Sequence, residues 1–193
     1  MNAYPDDMTA REGRALYFAS GGIPADGGYS DSWVNLKVGP IPFGFPNSDA
    51  RRRAVKLHDL HHVLTGYGTS WTGEAEISAW EIASGCGRYT VAWVINLGGL
   101  FVGLLVNPRR TQQAFLRGRG ARNLYHGEPF REALLEEKLG EIRERLAFDA
   151  AGEVAGRRDR WSWIAWAGAS IVYAIGSAGL VLAGIAACAR WAF

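Results

Sequence analysis

From Trp161 to Ala189 the chain carries no charged side chain. A helix needs about 20 apolar residues to cross the hydrocarbon of a bilayer, so this run is long enough for one span and too short for two. Trp161, Trp163 and Trp166 at one end and Trp191 at the other stand where aromatic belts stand. As a helix, Trp163 to Trp191 would extend about 42 Å, close to a bilayer with its headgroups. Arg157, Arg158 and Arg160 precede the run and Arg190 alone follows it, which places the rest of the chain on the cytoplasmic side of the cell membrane. Residues 157–193 are therefore expected to form a single-pass C-terminal transmembrane anchor. Gly179, Ala183 and Ala187 make a small-residue stripe along it, compatible with a homo-oligomer or simply with lipid.

The 193-residue chain is long enough to bury a real core, and its 48% hydrophobic and 21% charged residues exclude a disordered chain. A net charge of +2, with basic residues interspersed among acids and without a base-stacking pattern of aromatics, argues against nucleic acid as a partner. Cys86 and Cys188 stand alone, giving neither a disulfide framework nor a metal knuckle. Met1 to Ala10 is polar and has no apolar core of a secretory signal. Residues 1–49 read as a short helix over Thr9 to Ser20 followed by a loop rich in glycine and proline. Within it Trp33 to Val38 alternates weakly, as a short extended segment does. No chemistry is assigned to this region.

Three of the four histidines lie within five residues, His58, His61 and His62. Asn47-Ser48-Asp49 can cap a helix before them and Gly66 can end it. On that helix His58 and His62 are roughly 40° apart. Two imidazoles one turn apart suit one metal ion. Asp59 flanks the pair, and Glu74 follows after a Gly66-Tyr67-Gly68 turn, where a second helix starting near Thr72 brings it back to face the first. Any one of these residues alone is unremarkable: a histidine near a helix end is usually solvated, and a glutamate in a first turn is what the helix dipole favours. Together His58, Asp59, His62 and Glu74 point to a site between two helices for one divalent ion, Zn or Fe(II). Glu81, seven residues beyond Glu74 on the same face, either accepts a proton from a ligand imidazole or lies on the surface, and His61 flanks the pair.

His-Asp-x-x-His, eleven residues and then Glu resembles the metal-binding signature of the Coq4 family of ubiquinone-biosynthesis proteins. The flanking text agrees: Thr65-Gly-Tyr67, Gly73-Glu-Ala-Glu76 and Trp80-Glu81. A second block also resembles the family, Ala114-Phe-Leu-Arg-Gly-Arg-Gly-Ala-Arg-Asn-Leu124, followed by the acidic segment ending Leu139-Gly-Glu-Ile-Arg-Glu-Arg-Leu146. The similarity covers roughly residues 50 to 147. It implies a helical metal-binding domain over 50–150 that works in ubiquinone biosynthesis on a polyprenylated quinone precursor. The implied reaction is oxidative decarboxylation at ring carbon C1 of a polyprenylated hydroxybenzoate. The resemblance also implies organisation of other ubiquinone-biosynthesis enzymes. A non-catalytic scaffold that binds prenyl lipid, with a structural metal, is the alternative. The doublet His58-Asp59 also occurs in HD-type phosphohydrolases, but these need an upstream histidine and none precedes His58. Zincin peptidases carry Glu where Asp59 stands.

Tyr89 to Val106 is apolar but for Asn96, at the lower limit for a span. A true span would put the two family blocks on opposite sides of the membrane, so the run is expected to be a core or membrane-embedded helix lining a cavity for an isoprenoid tail. Arg53 and Lys56, within one turn of the histidines, and Arg117 in the second block are candidates to hold a substrate carboxylate. Gly118 and Gly120 weaken the helix there, which points to close packing. Pro129 suits the first turn of a last domain helix running to Leu146, with Gly140 as the point where it can divide. The expected fold is all-α: a compact helical domain with an inter-helix metal site, then the anchor.

Overall fold

The caps anticipated before the histidine segment close as hydrogen bonds. In the computed structural model, which describes residues 4–38, 41–147 and 156–191, the Ser48 hydroxyl accepts from Arg51 N and opens α2 (Asp49–Thr65). Gly66, at φ 75°, ends it with its N–H on the His62 carbonyl. Ser70 does the same for α3 (Trp71–Ser84), accepting from Gly73 N. Before them, Thr9 and Glu12 form a reciprocal capping box at the start of α1 (Ala10–Gly21). α4 (Thr90–Val106), α5 (Pro108–Arg119) and α6 (Leu139–Arg145) complete the domain, and α7 (Arg157–Trp191) follows.

The architecture is mostly helical, with one departure from an all-α fold. β1 (Trp33–Val38) and β2 (Ile41–Pro46) pair antiparallel, Trp33 opposite Pro46 and Val38 opposite Ile41. The alternation noted in Trp33 to Val38 thus finds a partner strand in the proline-bearing segment after it. A two-stranded ribbon tolerates Pro42 and Pro46 because both its strands are edges.

The structure also differs from the sequence reading at the end of the domain. The expected helix from Pro129 is replaced by a 3-10 turn (Glu132–Glu136) and the short α6. Here the backbone is called away to the N-terminus. Glu137 O accepts from Ala10 N, Leu139 N donates to Met8 O, and Thr9 and Lys138 form an isolated bridge. Tertiary pairing outweighs helical spacing.

α3 packs between α4 and α5, and glycines set the approach. A Cβ on Gly118 would lie 2.5 Å from the Trp80 carbonyl oxygen, and one on Gly99 would meet the Ser78 hydroxyl. Trp80, Phe115, Leu57, Leu60 and Ile77 are fully buried in one core. The C-terminus of α2 is held from outside. Arg143 donates to Val63 O and Leu64 O, and Arg117 Nη1 to Thr65 O at 3.0 Å. Cations on the last carbonyls of a helix oppose its dipole, so the histidine-bearing end of α2 is fixed on both its faces. α7 is one helix of 35 residues, long and apolar enough to cross a membrane.

Candidate metal centre

The ring nitrogens of α2 are sorted by their partners. His62 Nδ1 lies 2.9 Å from Tyr67 O, a carbonyl that can only accept, so Nδ1 carries the hydrogen and Nε2 is bare. His58 Nδ1 lies 2.9 Å from Glu81 Oε1, which fixes the same tautomer. The two Nε2 atoms then face each other at 3.1 Å. Glu74, from the first turn of α3, brings Oε1 to 3.6 Å from His62 Nε2 and Oε2 to 3.7 Å from His58 Nε2. Ligand atoms of all three residues lie within 4.8 Å of one another.

Two lone pairs and a carboxylate cannot converge this closely without a positive charge between them. In the metal-free protein a proton supplies it. Burial works against a charged His58, but Glu81 and Glu74 outweigh burial and raise its pKa well above the ordinary imidazole range. Burial likewise opposes ionisation of Glu74, and the bonds to His58 and His62 outweigh it, so its carboxyl titrates far below the usual range. The donor set, two imidazoles and one carboxylate, is the set that holds Fe(II) or Zn(II) with coordination positions left open. The residues fit such an ion. The Glu74 side chain is 42% exposed, so the centre is reachable from solvent.

Glu81 sits behind the ligands, fully buried. Its Oε1 takes His58 Nδ1 and, at 2.6 Å, His61 Nδ1; its Oε2 takes Asn96 Nδ2 at 2.5 Å and the Tyr125 hydroxyl at 3.1 Å. Burial would neutralise this carboxyl, but the imidazoles of His58 and His61 hold its pKa far below the usual range. His61 is no ligand in this geometry. Its Nε2 accepts from Leu124 N at 3.0 Å, and burial above all lowers its pKa, so it is a neutral strut between α2 and the 3-10 turn Leu124–His126.

The expected residues divide. His58, His62 and Glu74 come together. Asp59, expected with them, lies outside that group: it is buried and accepts the Tyr29 hydroxyl. Arg53 and Lys56 line a cavity of about 520 Å³ with Tyr29, Tyr89 and Phe130. Lys56 Nζ stands 5.0 Å from the centre of the Phe130 ring and 5.4 Å from that of Tyr29. Arg117 is elsewhere, on the α2 terminus and 5.5 Å from the Tyr67 ring.

Four contributors have no counterpart among the expected site residues. Tyr17 of α1 stacks on His62 at 4.9 Å, Tyr29 holds Asp59, and Asn96 and Tyr125 hold Glu81. Asn96 had a sequence signal, as the one polar residue in an otherwise apolar run. The two tyrosines of the N-terminal region had none. Comparison of the chain with family models, with curated proteins and with solved structures brings no match.

Proposed function

We propose that this protein is a metal-dependent enzyme of the membrane surface. It acts on a polyprenylated hydroxybenzoate and replaces the ring carboxyl by a hydroxyl, as the resemblance to the Coq4 family implies. The observation that carries the proposal is the convergence of His58 Nε2, His62 Nε2 and Glu74, both imidazoles being held in the tautomer that leaves Nε2 free. A divalent ion held by these three donors, Zn or Fe(II), supplies Lewis acidity toward the ring oxygens, and Fe(II) adds chemistry with dioxygen.

The balance of the reaction is simple. The carboxyl leaves as CO₂, one atom of O₂ enters at the same carbon, and the other leaves as water with two electrons and two protons from an external reductant. The chain's own residues bind and orient. Arg53 and Lys56 pair with the substrate carboxylate, and Tyr29 and Phe130 flank the ring. Tyr29 joins the two regions, because its ring lines the cavity while its hydroxyl holds Asp59, next in sequence to His58. A purely structural metal would need a fourth protein donor. The neighbouring carboxylate, Asp59, is engaged by Tyr29, which favours the enzyme over the scaffold.

α7 keeps the domain where a prenylated substrate resides, with the arginines of its first turn on the cytoplasmic side. The test is direct. Full-length protein loaded with Fe(II), given a prenylated hydroxybenzoate, a reductant and oxygen, is expected to consume oxygen and yield a product lighter by one CO. Unchanged substrate with no oxygen uptake overturns the proposal.

A further inference from the structure

α4 has two unlike faces. Its inner face carries Asn96, which donates to Glu81 behind the metal ligands. Its outer face carries Ile95, Leu105 and Val106, all exposed, with Leu105 71% so. α7 packs beside it. Trp93 of α4 and Trp166 stack at 5.2 Å and 15°, Phe115 meets Trp163 edge-on at 5.4 Å, and Ser170 is fully buried. The opposite side of α7 shows Ile164, Val172 and Ile175 to the outside, Val172 being 71% exposed. The two helices therefore continue one exposed apolar surface.

We infer that the outer face of α4 lies against lipid beside α7, and that the domain is seated in the bilayer rather than tethered above it. The inference rests on the reading of α7 as a membrane helix. Two features choose lipid as the occupant. The surface is continuous with α7, whose most apolar window has a mean hydropathy of 2.1 and no residue buried in the domain. α4, about 25 Å long by its 17 residues, also has an exposed arginine at each end, Arg88 before it and Arg109 after it. Cationic ends on a helix with an apolar outer face suit a segment whose middle meets acyl chains and whose long arginine side chains reach headgroup phosphate. Trp161, in the first turns of α7, exposes an indole of the kind that favours the membrane–water interface. On this arrangement Ile95 touches lipid while its neighbour Asn96 touches the scaffold of the metal centre.

The experiment uses full-length protein with Cys188→Ser, in vesicles of phosphatidylcholine with a minority of phosphatidylglycerol. Single cysteines replace Ile95, Leu105, Leu180 and Glu141, each carrying an environment-sensitive fluorophore; Cys86 is buried and stays. Brominated acyl chains are the quencher. Labels at 95 and 105 are expected to lose at least about half as much fluorescence as the label at 180, and the label at 141 to lose none. If 95 and 105 behave like 141, the domain is a tethered head and the inference fails. If they are shielded from water yet unquenched, the face belongs to a protein partner such as a second copy, and the inference fails again. The label at 180 reads the α7 assignment separately. Absence of quenching at 180 would remove the span and, with it, the inference that rests on it, whereas quenching at 180 without quenching at 95 and 105 sinks the inference alone.

Discussion

Glu81→Gln isolates what the buried carboxylate contributes. The side chain keeps its shape and loses its charge. In the least costly arrangement the amide oxygen faces His58 and His61, and each bond passes from a charged to a neutral acceptor. Hydrogen bonds to charged groups are worth roughly 1.5–3 kcal/mol and neutral ones about 0.5–1.5, so roughly 1 kcal/mol is lost at each imidazole. The amide nitrogen then meets Asn96 and Tyr125, which donate to the native carboxylate. Asn96 can turn its amide, since its Oδ1 has no partner among the described residues, and the Tyr125 hydroxyl can rotate. That side costs little. The net loss is about 2 kcal/mol, which for a chain of this length lowers Tm by about 4–8 °C. The second consequence is at the metal. His58 Nδ1–H then has only a neutral acceptor, which orients the ring less firmly and makes Nε2 a weaker donor, and perturbing such an outer partner weakens metal binding by roughly 10–100-fold. Thermal unfolding of the metal-free protein in detergent reads the first effect, and competition with a chelator reads the second. An unchanged Kd for the metal beside a lowered Tm would refute the orienting part of the argument. Both unchanged would refute the network altogether.

Other perturbations separate the parts. Tyr125→Phe removes one of four donors to Glu81 and leaves both imidazole bonds, so it should cost about 1 kcal/mol of stability and shift metal affinity far less than Glu81→Gln. In the metal-free protein the folded-state pKa of His58 lies above its unfolded value of about 6.5. Its protonation therefore contributes stability that is complete below about pH 6.5 and lost as pH rises through the folded value. Metal displaces that proton, so the Tm gained on adding Zn(II) should grow as pH rises from about 6.5 toward the raised folded value, and a gain independent of pH would count against the shared site. Gly118→Ala puts a Cβ 2.5 Å from the Trp80 carbonyl oxygen, a backbone contact that cannot swing aside. It should cost roughly 1–3 kcal/mol by chemical denaturation. Lys56→Ala and Arg53→Ala should raise KM for the carboxylated substrate while leaving metal content unchanged; equal KM for both variants and wild type would detach the cavity from the reaction.

Much of α2 and α3 was legible because local rules and tertiary demands agree there. Ser48 and Gly66 cap where caps were expected, α3 begins beside the expected Thr72, and His58, His62 and Glu74 survive as a cluster. Gly118 shows the close approach that its place in a helix foretold. The misses share one cause, partners distant in sequence. The segment after Pro129 has helical periodicity, but its backbone pairs with residues 8–10. Trp33 to Val38 is too weakly patterned to announce a hairpin without its partner strand. Tyr29 reaches Asp59 from a region whose glycines and prolines read as a loop, and Tyr17 reaches His62 from the short N-terminal helix, whose sequence does not announce its partner. Arg117, flagged by its basic block, stands on the carbonyl end of α2, a role set by where a helix terminus happens to lie.

The central claim is that His58, His62 and Glu74 hold one divalent ion. Elemental analysis of detergent-purified full-length protein tests it most directly, with His58→Ala and Glu74→Ala prepared in parallel. The account predicts about one iron or zinc per chain in the wild type and its loss in both variants, a stoichiometry that follows from one set of three converging donors. Wild-type protein without metal, or variants that keep a full complement of it, would contradict the account.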